Sequence, residues 1–381
     1  MTPRPAVFVL LAHGFGAARW NRLYKAGKII GLNEEYAYGY HHAQKYGLQV
    51  VYSEDRELGL LSKLSRLALR VLLGFDFLHA WRNREAFFAA DVVWTHTEYQ
   101  GLAATLLCRL YPRRRAPRLI LQSVWLCDRW DDLSRLRRWW FRNLLAKADI
   151  LTFHSPLNLA KARQIFPEQR CELVRFGIKA THLEPPRAPG NSGRLNLLSL
   201  GNDRHRDWPT LVAAVRDQPQ LQLTIVSATI RSSLVSDLAN CKVVKARHND
   251  ELEALFTAAD MVIVPLVNNL HASGITVVEE AVIKGCPVIV SDTGGLRAYF
   301  SDEDVLYVPP NDPLALRQAI EALARDTEGA LARARSAQTR IGCPGLSAES
   351  FARHHALLSL ELLGQAAEPC ASVEGSSSEQ A

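Results

Sequence analysis

The chain has 381 residues, enough for two domains with a core each, and its 48% hydrophobic and 22% charged residues exclude a largely disordered protein. The net charge of +6 divides unevenly, with 28 Lys and Arg against 15 Asp and Glu up to residue 180, and 17 against 24 beyond it. A cationic half therefore precedes an acidic one, and a body of +13 suits a nucleic acid, an anionic membrane surface or an anionic substrate.

In chain order, the opening MTPRPAVFVLLAHGFG carries an apolar run that is short for a leader and ends in a glycine turn, as a first strand would. Short apolar runs that read as buried strands then recur, each followed by helical spacing: Ala6 to Leu11, Leu48 to Tyr52, Asp91 to Trp94, Arg118 to Gln122 and Ile150 to Phe153. After a Pro- and Gly-rich loop, EPPRAPGNSG, the pattern restarts with Leu195 to Leu200, Leu221 to Val226, Lys242 to Lys245, Met261 to Pro265, Pro287 to Ser291 and Val305 to Val308. The expected fold is α/β, with two Rossmann-like doubly wound domains and a cleft between them. The expected boundaries are 1–180, a hinge linker at 181–194, a second domain at 195–345, a helix at 346–364 and a disordered tail at 365–381.

The seven cysteines form no C-x-x-C pair and no zinc spacing, so they read as reduced packing residues. No stretch approaches the roughly 20 apolar residues of a spanning helix. The chain is expected in the cytoplasm, at most peripheral at the inner face of the cytoplasmic membrane.

The most informative stretch is NLHASGITVVEEAVIKGCPVIVSDTGGL, residues 269–296. The turn Ser273-Gly274 leads into a helix carrying Glu280, and a small-residue turn at a helix N-terminus offers backbone N–H groups and the positive dipole end to a diphosphate. A glutamate further along can accept hydrogen bonds from vicinal ribose hydroxyls. The plainer alternatives are ordinary βα turns and a carboxylate on a helix surface.

The run EAVIKGCPVIVSDTGG resembles the donor-binding signature of GT-B glycosyltransferases, above all glycosyltransferase family four, and the strand order agrees along the ordered chain. The resemblance implies a nucleoside-diphosphate sugar as donor, held by the second domain. In that family two glutamates are separated by seven residues; the second matches Glu280, and the first falls on Ala272, which implies a different donor grip or stereochemistry. In the loop Gly201-Asn202-Asp203-Arg204-His205-Arg206, the resemblance puts Arg206 in the place of a diphosphate-binding lysine and Asn202 in that of an arginine, with Arg204 a further cation. Arg247 falls where such enzymes read the base, and His271 contacts donor sugar or caps the following turn. No D-x-D motif stands at a strand end, so no metal and no other cofactor is expected to be required.

In the first half, His13 after the first strand, His96 and Glu98 after the third, and Asp128 after the fourth fall at strand carboxyl ends. They are the acceptor-side and general-base candidates, though each carboxylate could equally cap a helix. Residues 58–73, LGLLSKLSRLALRVLL, and 136–145, LRRWWFRNLL, place arginines beside leucine and aromatic faces. Such faces suit an anionic bilayer or cover their own sheet.

The resulting expectation is a hexosyl- or uronosyltransferase acting on a saccharide acceptor, lipid-linked and at an anionic membrane surface, in cell-surface or exopolysaccharide synthesis. The alternatives are a GT-B-like sugar-nucleotide epimerase and a basic nucleic-acid-binding protein. No RNP-like run, zinc module or recognition helix supports the last, and no nucleic-acid partner is expected.

Overall fold

The computed structural model describes residues 4–57, 59–190, 193–342 and 345–365. Leu58, Cys343, Cys370 and all of the expected tail except Gln365 lie outside the described residues. The first sheet contains β1 (Ala6–Leu10), β2 (Gln49–Tyr52), β3 (Val92–Thr95), β4 (Arg118–Ser123), β5 (Ile150–Phe153) and β6 (Cys171–Leu173), in the order β2-β1-β3-β4-β5-β6. The second contains β7 (Leu195–Leu200), β8 (Leu221–Val226), β9 (Cys241–Val244), β10 (Met261–Val264), β11 (Val288–Ser291) and β12 (Leu306–Val308), in the order β12-β11-β10-β7-β8-β9. Every ladder pair is parallel.

Parallel strands need crossover helices on both faces, so their sequences are apolar throughout rather than alternating. β3, β5, β10 and β11 are accordingly buried at every position. The strand order reverses between β1 and β3 in the first sheet and between β7 and β10 in the second. At such a reversal the crossovers leave on opposite faces and open a crevice beyond the strand carboxyl ends.

Between the sheets, Glu184 and Arg187 donate their backbone N–H groups to the carbonyls of Ile283 and Gly285, which ties this part of the linker to the second domain. The last helix, Ala348–Leu362, returns to the first domain. There it packs on the 3₁₀ segment Ala37–Tyr46, and the Trp94 indole donates to Ser359 Oγ at 2.9 Å. Phe351 sits in the middle of this contact, with ring centroids 5.1 Å from Tyr40 and 5.2 Å from Phe176.

Phe351 is fully buried against these rings, so Phe351→Ala is expected to lower the unfolding free energy by about 3–5 kcal/mol in a denaturant titration. A loss below about 1 kcal/mol would mean that the returning helix contributes little to the first domain.

Candidate functional site

On the second domain the site grows from two loops at the β7/β10 reversal. The segment after β7 is zipped to the segment after β10: Asp207 N–H donates to the Pro265 carbonyl at 3.0 Å, and Val267 N–H to the His205 carbonyl at 2.9 Å. Gly201, with φ +144°, and Gly274, with φ +81°, flank the Arg206 guanidinium, which fills the space where side chains at those positions would lie. Gly274 opens the helix Ile275–Ile283, so this turn presents a helix N-terminus over a buried cation.

Arg206, expected as a diphosphate-binding cation, is itself held by protein atoms. Its Nε donates to the Leu200 carbonyl at 2.9 Å and its Nη1 to Ser273 Oγ at 3.4 Å, beneath the turn rather than in the crevice. Burial lowers its pKa to about 10, which still leaves it charged at neutral pH. Asn202 is likewise a brace, its Oδ1 accepting from Ala228 N–H at 2.7 Å. Arg204 is exposed at the same loop. Arg247 is exposed too, and its backbone N–H donates to Glu251 at 2.7 Å.

Glu280 meets the first domain. Its Oε1 accepts the Leu32 N–H at 2.8 Å, while Asn249 grips the same segment through Gly31 N–H at 2.9 Å and the Ile29 carbonyl at 3.1 Å. Burial raises the Glu280 pKa to about 7, against the opposing Leu32 hydrogen bond and Lys284 charge. Its neighbour Glu279 is completely buried and neither oxygen has a hydrogen-bond partner. Burial, with the adjacent Glu280 charge, pushes its pKa far up, so Glu279 is a neutral acid.

The seam between the domains is polar. Asp128 accepts Leu270 N–H at 2.6 Å and faces His271 Nδ1 at 2.9 Å; His271 Nε2 faces Asp203 at 3.4 Å. Burial opposes charge on both partners, yet these hydrogen bonds hold the Asp128 carboxyl below its usual range and the His271 imidazole up at about 8. Ser155 donates to the Leu270 carbonyl at 2.5 Å, and the Tyr299 hydroxyl bridges the His154 carbonyl and the Phe176 N–H. Ser155, His154 and Tyr299 were not singled out from the sequence. Only the position of His154 and Ser155 just past β5 could have flagged them.

On the first domain a cavity of about 680 Å³ lies beyond β1 and β3, and His13, Glu98, Trp125 and Arg129 are among its lining residues. His13 stands edge-on to His79, 5.6 Å between ring centroids. Glu98 caps the next loop, its Oε2 accepting from Val124 N–H at 3.0 Å and Trp125 N–H at 3.2 Å, while its buried Oε1 has no partner. Burial raises the Glu98 pKa. His96 is not among the residues that line this cavity. It is buried, stacked on Tyr38 with centroids 3.4 Å apart and hydrogen-bonded to the Tyr40 hydroxyl at 3.1 Å, and burial drives its pKa far down. The returning helix covers that end of β3 through Phe351, so His96 is a core residue.

The neutral Glu279 has a pH signature. Its folded pKa exceeds the unfolded value near 4.5, so the folded state holds its proton more tightly and stability falls as pH rises above that value. Glu279→Gln is expected to match the wild type in melting temperature near pH 4 and to exceed it at pH 8, by about 1–3 kcal/mol in unfolding free energy. Parallel melting curves at both pH values would contradict a neutral buried acid.

With this geometry in hand, residues 202–326 match the family described as Glycosyl transferases group 1. No curated protein matches the sequence. Sucrose-phosphate synthase (tll1590) from Thermosynechococcus elongatus superposes with a TM-score of 0.71 at 18% identity, covering 94% of this chain and 100% of that one. Anabaena Alr3699/HepE in complex with UDP and glucose superposes with a TM-score of 0.64 at 13% identity, over 94% and 99%. A glycosyltransferase from Rickettsia africae ESF-5 gives 0.62 at 12% identity, over 95% and 100%. Residues 202–326 of the second domain thus match a family of group 1 glycosyltransferases, in a chain that has the GT-B fold.

Proposed function

We propose that the chain transfers a glycosyl unit, hexosyl or uronosyl, from a nucleoside-diphosphate sugar to a hydroxyl of a membrane-associated acceptor, a lipid-linked saccharide of cell-surface or exopolysaccharide synthesis. The observation that carries the reading is the convergence of the Gly201 and Gly274 turns at the β7/β10 reversal, over a buried Arg206 and at a helix N-terminus, within the segment that matches the transferase family. HepE, which shares the fold, is seen with UDP and glucose.

In this reading the diphosphate lies on the Ser273-Gly274 turn, where the helix dipole and the charge of Arg206 behind it act together and exposed Arg204 adds a second cation. Glu280 takes the ribose hydroxyls in exchange for Leu32 N–H, and Arg247 stands on the side of the base. The acceptor hydroxyl enters from the cavity walled by His13 and Glu98, the two candidates for general base that line it.

The membrane part of the proposal rests on the helix Leu60–Leu73, which buries none of its residues. Leu60, Leu61 and Leu72 are 74%, 83% and 75% exposed, an apolar face with no cover among the described residues. Trp139, on the helix Arg135–Leu145, is 61% exposed, whereas Phe141, Leu144 and Leu145 of that helix pack inward. Arg137 is occupied structurally, donating to the Val71 carbonyl at 3.0 Å. No helix of the described residues is long and apolar enough to cross a membrane, so the contact would be interfacial.

Two outcomes test this. Among UDP-, GDP- and dTDP-sugars at least one is expected to raise the melting temperature, and Glu280→Ala to weaken its binding by about 1.5–3 kcal/mol while the protein stays folded. Unchanged affinity in the folded variant would remove Glu280 from the nucleotide site. For the membrane, the triple variant Leu61→Ser, Leu72→Ser, Trp139→Ser alters only exposed side chains, so its melting temperature should hold while sedimentation with anionic liposomes is lost. Equal sedimentation of variant and wild type would exclude this face.

A further inference from the structure

Asp128, His205 and His271 are far apart in the chain and meet at the seam between the domains. One ligand atom from each lies within 4.8 Å of the other two. All three are held from the outside. Asp203 Oδ1 faces His205 Nδ1 at 3.1 Å, and Asp203 Oδ2 faces His271 Nε2 at 3.4 Å while accepting the Ser273 hydroxyl at 2.5 Å. Leu270 N–H holds Asp128 Oδ1 at 2.6 Å.

An ionised carboxylate only accepts, so each ring nitrogen that faces Asp203 carries the hydrogen. In the neutral rings this leaves Nε2 of His205 and Nδ1 of His271 with lone pairs. One of these lone pairs, on His271 Nδ1, stands 2.9 Å from Asp128 Oδ2, another electron-pair donor. Two such atoms at that distance share either a proton, as an N–H hydrogen bond to the carboxylate, or a metal cation that takes its place. A carboxylate that takes the outer N–H of an imidazole is also the usual support of a metal-bound histidine, and here a single aspartate supports two.

We propose that Asp128, His205 and His271 bind a divalent first-row transition cation of the zinc class, with Asp203 as the positioning residue that orients both imidazoles. Two imidazoles and one carboxylate suit Zn²⁺, Co²⁺ or Mn²⁺ far better than Mg²⁺ or Ca²⁺, which prefer oxygen ligands. Ligand atoms around tetrahedral zinc stand roughly 3.3 Å apart, given metal–ligand bonds of about 2.0–2.1 Å, so the widest pair needs to close by about 1.5 Å at most and the 2.9 Å pair of His271 and Asp128 to open slightly. Three protein ligands leave a coordination position open. Because Asp128 belongs to the first domain and both histidines to the second, the cation also joins the domains across the cleft.

No local spacing marks this site, because its members stand on separate loops, and the cation departs from the expectation that no metal is required. The test uses the full chain without nucleotide, so its result stands whether or not the donor reading does. After stripping with a chelator, the protein is titrated with Co²⁺ and Zn²⁺. The expected result is one cobalt per chain with a visible ligand-field absorption band that zinc abolishes, a raised melting temperature, and no displacement by excess Mg²⁺. His205→Ala should lose the band, Asp203→Asn should weaken binding about 10–100-fold, and His182→Ala, an exposed histidine elsewhere, should leave it unchanged. Wild-type protein that takes up no cobalt overturns the proposal on its own, whatever the folding of the variants. So does uptake that Mg²⁺ matches, or that survives in folded His205→Ala.

Discussion

A parallel strand cannot return to its neighbour by a tight turn; it must cross over and begin again at the same end, so all the carboxyl ends of a parallel sheet collect at one edge. Both sheets of this chain are wholly parallel, and the loops at these two edges face each other across the cleft. The active chemistry of such a molecule is therefore confined to the loops after strands, and the fold supplies it with helix N-termini and short turns before any particular side chain is chosen. Arg206 illustrates the economy: it is buried by the same two glycines that bring backbone to the crevice, and its charge is available there without a flexible side chain in the cleft.

Facing edges must also hold together, and here cohesion and chemistry use the same atoms. Asp128, Leu270 and His271 join the domains, as do Ser155 and Tyr299, and all of them lie on strand-end loops or next to them. Buried polar atoms need partners, so each contact at the seam constrains which group can turn toward a ligand. Glu98 shows the constraint within one residue: one oxygen fixes the Val124–Trp125 backbone and the other has no partner.

Much of the architecture was legible in the amino-acid order because parallel strands are continuous apolar runs and the glycines sit where turns need them. Eleven strands follow the runs within a residue or two; β6, with three residues and a partly exposed Glu172, gives too short a signal. The candidate site was less legible, for reasons of three-dimensional cover. His96 sits past a strand as a catalytic residue would, and only the helix from the far end of the chain shows it to be core. Asp128 and His271 are 143 residues apart, so nothing local could pair them. Glu279 and Glu280 are adjacent and chemically alike, yet one is sealed and the other reaches the first domain.

That last contact bears on affinity. Leu32 N–H occupies the carboxylate that a ribose would take, so in the proposed enzyme the first domain behaves as a tethered competitor of its own donor. Measured affinity is then the intrinsic affinity multiplied by the fraction of molecules in which residues 29–33 have let go. Substitutions at Asn249, which grips that segment from the other side, would change apparent donor affinity through this fraction, as would any ligand that biases the separation of the two domains.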